Sequence, residues 1–134
     1  MHILLVEDNP MDILMTREAL KDWKIEHRLH VVEDGEEALD FLFKRGPHGE
    51  AARPDLILLD LNLPRRSGFE VLSEIKSSPE LSTITLVVVT TSDAAGDRRK
   101  CHELGAALYI TKPLDFHEYI QALNSVETFC SGFQ

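Results

Sequence analysis

Short runs of consecutive apolar residues alternate along the chain with longer stretches in which apolar residues recur every three or four positions. The short runs are rich in Leu, Val and Ile and lie at Ile3–Val6, Leu56–Leu59, Thr85–Val89 and Ala107–Ile110. Consecutive apolar positions indicate strands that are buried on both faces, as in the middle of a parallel sheet. A fifth run, Leu29–Val32, has more polar neighbours and suits an edge strand.

The stretches between these runs carry helix signals. Asn9-Pro10 is an N-cap residue followed by proline at the first helical position, and Gly105 is typical of the residue after a helix end. Helices are predicted in five places: from Pro10 to about Lys24, at 36–44, 67–77 and 93–104, and from Asp115 onward. The order is therefore βα repeated five times, which predicts an α/β fold with a doubly wound parallel sheet and helices on both faces.

Length and composition favour one globular domain. The chain has 134 residues, and its longest loop, 45–54, is interpreted as an exposed insertion. A net charge of −9 argues against a nucleic-acid surface. No apolar run approaches the roughly 18–20 residues that a membrane span needs, and the N-terminus does not resemble a signal peptide, so we expect a cytoplasmic location. Two cysteines, Cys101 and Cys130, are too few for a disulfide framework.

Polar residues follow the apolar runs at the point where each predicted strand ends. Ligands of open α/β sheets bind outside the carboxyl ends of the strands, so these residues are expected to share one edge of the sheet. The four strand ends read Glu7-Asp8, Asp60-Leu61-Asn62, Thr90-Thr91-Ser92 and Thr111-Lys112-Pro113.

The charges of these residues predict a metal site. Two carboxylates about 5 Å apart repel by roughly 3 kcal/mol at an effective dielectric constant near 20, so Glu7, Asp8 and Asp60 need a cation or must take up a proton. Lys112 supplies one positive charge, and Mg²⁺ is the natural partner for the rest. An acidic metal site beside a lysine and the Thr90 hydroxyl suits phosphoryl transfer, in which the protein positions and neutralises the moving group.

The same residues resemble the receiver domain of two-component response regulators, from Ile3 to about Val126. Five motifs carry the resemblance: Val6-Glu7-Asp8-Asn9, Leu58-Leu59-Asp60-Leu61-Asn62-Leu63-Pro64 with Gly68, Val88-Val89-Thr90-Thr91-Ser92, Gly105-Ala106, and Tyr109-Ile110-Thr111-Lys112-Pro113. The resemblance implies a flavodoxin-like, five-stranded parallel sheet of strand order 2-1-3-4-5. It also implies a single receiver domain over residues 1–134 without an effector domain.

The resemblance assigns roles to the strand-end residues. Asp60 is expected to accept a phosphoryl group from a sensor histidine kinase. Asp8 and Asp60 are expected to bind Mg²⁺ directly, together with the backbone carbonyl of Asn62, while Glu7 acts through water; Mn²⁺ or Ca²⁺ can replace Mg²⁺ in crystals. Lys112 is expected to pair with the phosphoryl group.

The resemblance also predicts a switch and two backbone features. Thr90 is expected to turn its hydroxyl toward the phosphoryl group, and Tyr109 to turn inward behind it. Lys112-Pro113 is expected to form a cis peptide bond, and Gly68 belongs to the motif around the phosphoacceptor. The protein is therefore predicted to be a phosphoacceptor that assists its own phosphorylation and dephosphorylation, not an enzyme acting on other substrates.

Several departures from the minimal pattern resemble one subgroup of receivers. Many receivers have Asp at position 7, where this chain has Glu. The loop 45–54, the opening Glu-Asp-Asn-Pro-Met-Asp and the Thr-Thr-Ser-Asp that begins at Thr90 resemble small stand-alone regulators that pair with bacterial and cyanobacterial phytochrome kinases.

Three other functions were weighed. A haloacid dehalogenase-like phosphohydrolase needs a second acid two residues after the nucleophile, and Asn62 occupies that position. A pseudo-receiver, which only binds partners, is expected to lack some of the acidic pair, Asp60 and Lys112, all of which are present. A flavodoxin-like cofactor binder requires a phosphate-binding first loop, whereas the loop at Glu7-Asp8 is acidic.

The last predicted helix carries more apolar residues than one buried side needs. Its core stripe is predicted at Phe116, Ile120 and Leu123. An adjacent stripe contains Tyr119, Ala122, Val126 and Phe129. We hypothesise a homodimer in which Tyr119, Val126 and Phe129 contact a second copy, with the fifth strand as an added edge. A wide core stripe with a frayed tail is an equally good interpretation.

Overall fold

The computed structural model describes residues 1–113 and 115–131. Its five strands are β1 (His2–Val6), β2 (Arg28–Val32), β3 (Leu56–Leu59), β4 (Thr85–Thr90) and β5 (Leu108–Thr111). Its five α-helices are α1 (Pro10–Leu20), α2 (Gly35–Leu42), α3 (Gly68–Ser77), α4 (Ala95–Glu103) and α5 (Phe116–Ser131). The strands are parallel and form one sheet in the order β2-β1-β3-β4-β5, which confirms the predicted fold class and strand order.

The strand register places the two acidic motifs side by side. Val6, the last residue of β1, is paired with Leu59, the last residue of β3. Asp60, the residue that follows β3, donates its backbone N–H to the Val6 carbonyl at 3.1 Å. The chain runs from β1 to β2 on one side and then returns past β1 to β3 on the other, so this is the topological switch point at which such sheets bind ligands.

The sheet is buried on both faces, as the consecutive apolar runs predict. Alternate strand residues, such as Leu4 and Leu59, pack under α2, α3 and α4. Their neighbours, such as Leu5 and Leu58, pack under α1 and α5. All of these side chains are less than 5% exposed, so the strand ends that hold the polar motifs stand on a closely packed base.

Helix α1 begins as predicted and ends earlier. The Asn9 side chain accepts hydrogen bonds from the backbone N–H groups of Met11 and Asp12, at 2.9 and 3.2 Å. Leu14 is apolar, like Ile13 and Leu20 of the same helix, yet it is 52% exposed. Trp23 follows the helix and is buried, and its indole Nε1 lacks a hydrogen-bond partner among the described residues.

Helix α5 buries residues of both predicted stripes, as the interpretation of one wide core stripe requires. Its buried residues are Tyr119, Leu123, Val126 and Cys130. Phe116, which was assigned to the core stripe, is 40% exposed. The prediction that Tyr119 and Val126 face a second copy is wrong, because both pack in the core with α1. The reason is a buried hydrogen bond of 2.6 Å between the hydroxyls of Tyr119 and Thr16, which satisfies the polar end of the ring inside the protein.

The loop 45–54 contains a single 3₁₀ turn at Gly46–His48 and is exposed over most of its first half. No helix in the described ranges is long and apolar enough to cross a membrane.

Candidate functional site

Three carboxylates meet at the carboxyl ends of β1 and β3. Glu7 and Asp8 follow β1, Asp60 follows β3, and one oxygen from each lies within 4.8 Å of the others. Glu7 and Asp60 are buried, whereas Asp8 is exposed. A set of three carboxylates beside open solvent matches the ligands and waters that a hard divalent cation takes, so the residues present fit the predicted metal.

Glu7 is the most buried member of this group. Its Oε2 accepts hydrogen bonds from the backbone N–H groups of Asp8 and Asn9, at 3.1 and 3.2 Å. Burial raises the pKa of Glu7 to about 7, and the Asp60 carboxylate adds to the rise, while Lys112 opposes it. A cation bound beside Glu7 would favour its ionised form and so oppose the effect of burial.

Lys112 projects from the end of β5 into the acidic group. Its backbone N–H donates to the Thr90 carbonyl at 2.6 Å, which continues the sheet by one residue. Its Nζ donates to Glu7, to Asp60 Oδ2 at 3.1 Å and to Asp12 Oδ2 at 2.8 Å. Burial alone would lower the pKa of Lys112, but these carboxylates outweigh burial and raise it. The lysine therefore stays charged at neutral pH.

Asp12 is a site residue to which the sequence analysis assigned no role. It lies in the first turn of α1, the helix that begins two residues after Asp8. The usable signal in the sequence is an acidic residue in the first turn of a helix that starts at the edge where the site is expected. What the sequence does not reveal is the contact with Lys112, which is 100 positions away along the chain.

The backbone around Asp60 is held in place from two sides. Asp60 Oδ1 accepts a hydrogen bond from the Asn62 N–H at 3.1 Å. Gly68, at the start of α3, donates its N–H to the Leu61 carbonyl at 2.9 Å. A Cβ at position 68 would lie 2.3 Å from the Asp60 carbonyl oxygen, so glycine is required there. The role of the Asn62 carbonyl as a metal ligand stays a prediction.

Thr90 and Tyr109, the predicted switch pair, are connected through Ser92. Thr90 is fully buried, and its hydroxyl oxygen accepts from the Ser92 N–H at 3.4 Å. The Tyr109 hydroxyl donates to the Ser92 carbonyl at 2.8 Å, and the Arg98 guanidinium lies 4.6 Å from the centre of the Tyr109 ring. Both residues thus contact the loop after β4, while their coupling to phosphorylation stays a prediction.

The prediction of a cis peptide bond at Lys112-Pro113 is wrong for this structure, in which all described peptide bonds are trans. The physical reason is that an X-Pro bond prefers the trans form by about 0.5–1 kcal/mol, and the backbone after β5 adopts this preferred form.

Comparison with known proteins identifies the family. A family model described as the response regulator receiver domain matches residues 3–124. The chain belongs to this family. It is therefore a receiver of two-component signalling, and the hydrolase and cofactor-binder alternatives are set aside. Response regulator Rcp1 of Synechocystis sp. is 42% identical over 127 residues, which cover 95% of this chain and 86% of Rcp1.

Two solved receiver structures resemble this one closely. The Mn²⁺-bound form of response regulator Rcp1 has a TM-score of 0.91 at 41% identity and covers 96% of this chain and 92% of its own. The phosphorylated cyanobacterial phytochrome response regulator RcpA has a TM-score of 0.91 at 44% identity, with coverages of 96% and 91%. A receiver of this kind thus holds a divalent metal in one case and a phosphoryl group in the other.

Proposed function

We propose that this receiver accepts a phosphoryl group on Asp60 from a histidine kinase and signals through the resulting change in conformation. The observation that carries the proposal is the position of the Asp60 carboxylate. It lies beside the acidic pair Glu7 and Asp8 and beside the ammonium of Lys112, whose Nζ is 3.1 Å from Asp60 Oδ2.

The proposed reaction is an in-line displacement. A carboxylate oxygen of Asp60 attacks the phosphorus of a phosphohistidine, the new P–O bond forms as the P–N bond breaks, and the electron pair of that bond returns to the imidazole nitrogen of the kinase. Lys112 lies within reach of a phosphoryl oxygen on this carboxylate and offsets its charge. The Asn62 N–H holds the other carboxylate oxygen and fixes the orientation of the side chain.

We propose Mg²⁺ as the metal, held by Asp8 and Asp60 directly, by the Asn62 carbonyl, and by Glu7 through water. The support is the all-oxygen donor set, in which three carboxylates have oxygens within 4.8 Å of one another. Mg²⁺ would neutralise phosphoryl oxygens during transfer. Mn²⁺ in the structure of Rcp1 is consistent with such a site, since it accepts the same ligands.

Thr90 and Tyr109 are proposed to report the phosphoryl group to the surface. Thr90 is buried at the end of β4, so its hydroxyl can reach the phosphoryl group only by turning within the site. Such a turn would break its contact with Ser92, which is also the residue that holds Tyr109. The protein would act by this rearrangement rather than as an enzyme on other substrates, while assisting its own phosphorylation and dephosphorylation.

A phytochrome-type histidine kinase is our proposed phosphodonor. RcpA is described as a cyanobacterial phytochrome response regulator, and a further similar structure, 40% identical with a TM-score of 0.79, is a bacteriophytochrome response regulator. We place the protein in the cytoplasm, where histidine kinases draw phosphoryl groups from ATP, and treat residues 1–134 as a single receiver domain. The net charge of −9 argues against a nucleic-acid partner.

A homodimer through α5 and the edge of β5 also stays a proposal, with a changed contact set. β5 lies at the end of the strand order, so its outer main-chain groups offer a pairing edge. Phe129, half-buried on α5, remains a contact candidate, while Tyr119 and Val126 are removed from it.

The test is phosphorylation by acetyl phosphate or by a phytochrome-type kinase, with Mg²⁺ present, followed by intact mass. The wild-type mass should rise by one phosphoryl group, and Asp60→Asn should abolish the rise. Asp22→Asn, which removes an exposed carboxylate after α1, is the matched control and should be labelled like wild type. Labelling of Asp60→Asn at the wild-type rate would refute the assignment. A wild type that takes up no phosphoryl group would favour the pseudo-receiver alternative.

A further inference from the structure

Lys112 makes a close carboxylate contact with Asp12, a residue outside the receiver motifs. Its Nζ lies 2.8 Å from Asp12 Oδ2 and 3.1 Å from Asp60 Oδ2, and it also contacts Glu7. A lysine ammonium has three N–H donors and no acceptor. The three carboxylates therefore match the three N–H groups of the ammonium. Asp12 accepts the N–H that Glu7 and Asp60 leave without a partner among the described contacts.

Asp12 is itself held at both ends of its backbone. Its N–H donates to the Asn9 side chain at 3.2 Å, and its carbonyl accepts from the Thr16 hydroxyl at 2.8 Å. Thr16 is buried and bonded in turn to Tyr119. The Asp12 carboxylate thus stands on a fixed turn of α1, opposite the strand ends that carry Glu7 and Asp60.

Lysine is a long, flexible side chain with many rotamers, so a single contact does not fix the direction of its ammonium. Glu7 and Asp12 approach Lys112 from β1 and from α1, and together they restrict the Nζ to one place. The remaining N–H is the one that faces Asp60, where the phosphoryl group is proposed to form.

We infer that Asp12 is a positioning residue for phosphoryl transfer, which holds Lys112 from the α1 side so that one N–H stays aimed at Asp60. This inference rests on the proposed function. Asp12 does not touch the reacting atoms and acts through Lys112 alone. Its role differs from that of the acidic pair Glu7 and Asp8, which belongs to the metal site.

A positioning role and a simple charge role of Asp12 predict opposite changes in the rate of phosphorylation when the carboxylate is removed. Removing a carboxylate only as a charge would ease the approach of an anionic phosphodonor and speed labelling. If the carboxylate positions Lys112, its removal allows the lysine side chain to adopt other conformations. Labelling then becomes slower, because small misplacements of a charge-neutralising group lower the reaction rate strongly. The rate of labelling therefore distinguishes the two.

The first experiment measures the rate of phosphorylation by acetyl phosphate at saturating Mg²⁺, by intact mass. Asp12→Ala should slow labelling about tenfold, and Asp12→Asn, which keeps an oxygen at that position, only about threefold. Glu18→Gln, which removes a charge from the same helix away from the site, should be labelled at the wild-type rate. The Mg²⁺ affinities of wild type and of these three variants should agree within about twofold. An unchanged or faster rate in both Asp12 variants would overturn the inference.

A second background separates positioning from damage to α1. With Lys112→Met already present, Asp12→Ala should slow the residual labelling no further, since the group it positions is gone. An equally large loss in that background would show that Asp12 acts by another route and would overturn the inference.

A third measurement does not depend on phosphorylation. In NMR of the ¹⁵N-labelled protein without phosphodonor, the Lys112 ammonium protons should exchange slowly, and Asp12→Ala and Asp12→Asn should speed their exchange. Unchanged exchange in both variants contradicts the inference. If wild type takes up no phosphoryl group, the proposed function fails, and this exchange measurement alone decides whether Asp12 holds Lys112.

Discussion

The hydroxyl of Tyr109 donates a hydrogen bond of 2.8 Å to the backbone carbonyl of Ser92 and thereby fastens β5 to the loop that follows β4. Burial raises the pKa of Tyr109, so the hydroxyl remains a donor throughout the neutral range. The Ser92 hydroxyl in turn bonds Asp97 of α4 at 2.5 Å. One tyrosine thus holds a loop that is connected both to the buried Thr90 and to the following helix.

Tyr109→Phe should loosen this loop. The variant loses one hydrogen bond, so its free energy of unfolding should fall by about 1 kcal/mol, measured by urea denaturation. Amide hydrogen exchange over residues 91–94 should become faster. Tyr119→Phe is the control: it also loses a tyrosine hydroxyl, but one bonded to Thr16, so it should leave exchange in the loop unchanged. Equal acceleration in both variants would contradict the specific contact.

Gly68→Ala should damage both folding and phosphorylation. The added Cβ would lie 2.3 Å from the Asp60 carbonyl oxygen and 2.5 Å from the Leu61 Cα, so backbone must move. We expect a loss of about 1–3 kcal/mol in the free energy of unfolding and slower labelling of Asp60.

Gly96→Ala is the matched control for that substitution. A Cβ at Gly96 in α4 meets nothing within 4 Å, so alanine should stabilise the helix by about 0.5–1 kcal/mol. If Gly68→Ala and Gly96→Ala had the same free energy of unfolding, the close contact at position 68 would not be a source of instability.

Lys112→Met should separate metal binding from phosphorylation. The variant leaves three carboxylates without their ammonium partner, and loss of one partner from a buried ion pair costs about 3–5 kcal/mol. Phosphorylation should fall to a slow residual rate. Mg²⁺ should bind at least as tightly as in wild type and raise the melting temperature more, because it now offsets more uncompensated charge. Loss of Mg²⁺ binding in calorimetry would contradict the role given to the lysine.

The two cysteines should be protected thiols. Burial, with a smaller contribution from Asp97, raises the pKa of the Cys101 thiol to about 11, and burial also raises the pKa of Cys130. Both should react slowly with a disulfide reagent at pH 8 in the native protein and rapidly in urea.

The same shift at Cys101 sets a pH dependence of stability. The unfolded thiol loses its proton near pH 9.0 and the folded one only near 11, so the folded state holds more protons between these values. The free energy of unfolding should therefore fall as pH rises through this interval. Cys101→Ala should flatten this part of the profile, whereas a profile unchanged by that substitution would point to other groups.

Val126→Ala should behave as a core substitution. Val126 is fully buried, so we expect a loss of about 2 kcal/mol in the free energy of unfolding and no change in sedimentation. Dimerisation itself should appear in sedimentation of the phosphorylated wild type at tens of micromolar, and a monomer with and without phosphorylation would end that proposal. A shift of Val126→Ala from dimer to monomer would return the residue to the interface.

Most of the fold could be predicted from the sequence because each strand, helix start and helix stop has its own local signal. The apolar runs, the Asn9 cap and Gly105, with its φ of +97°, are examples. The grouping of Glu7, Asp8, Asp60 and Lys112 could be predicted because parallel strands bring their carboxyl ends to one edge.

The sequence could not predict features that depend on packing between distant elements. The pattern of α5 left two interpretations open because Tyr119 is amphipathic, and only its contact with Thr16 decides that it points inward. Leu14 continues an apolar pattern that the sheet does not cover. The contact between Asp12 and Lys112 joins the first helix to the last strand, so no local pattern encodes it.

Trp23, the one tryptophan in the chain, has a practical consequence for measurements of unfolding. It follows the far end of α1, which carries Asp12 in its first turn, and eleven helical residues rise about 16 Å. The emission of its buried indole should therefore change when the core unfolds but should change little when Asp60 is phosphorylated. Intrinsic fluorescence is thus a clean optical probe of unfolding here, and melts recorded with and without a phosphodonor can be compared without correction for quenching at the site.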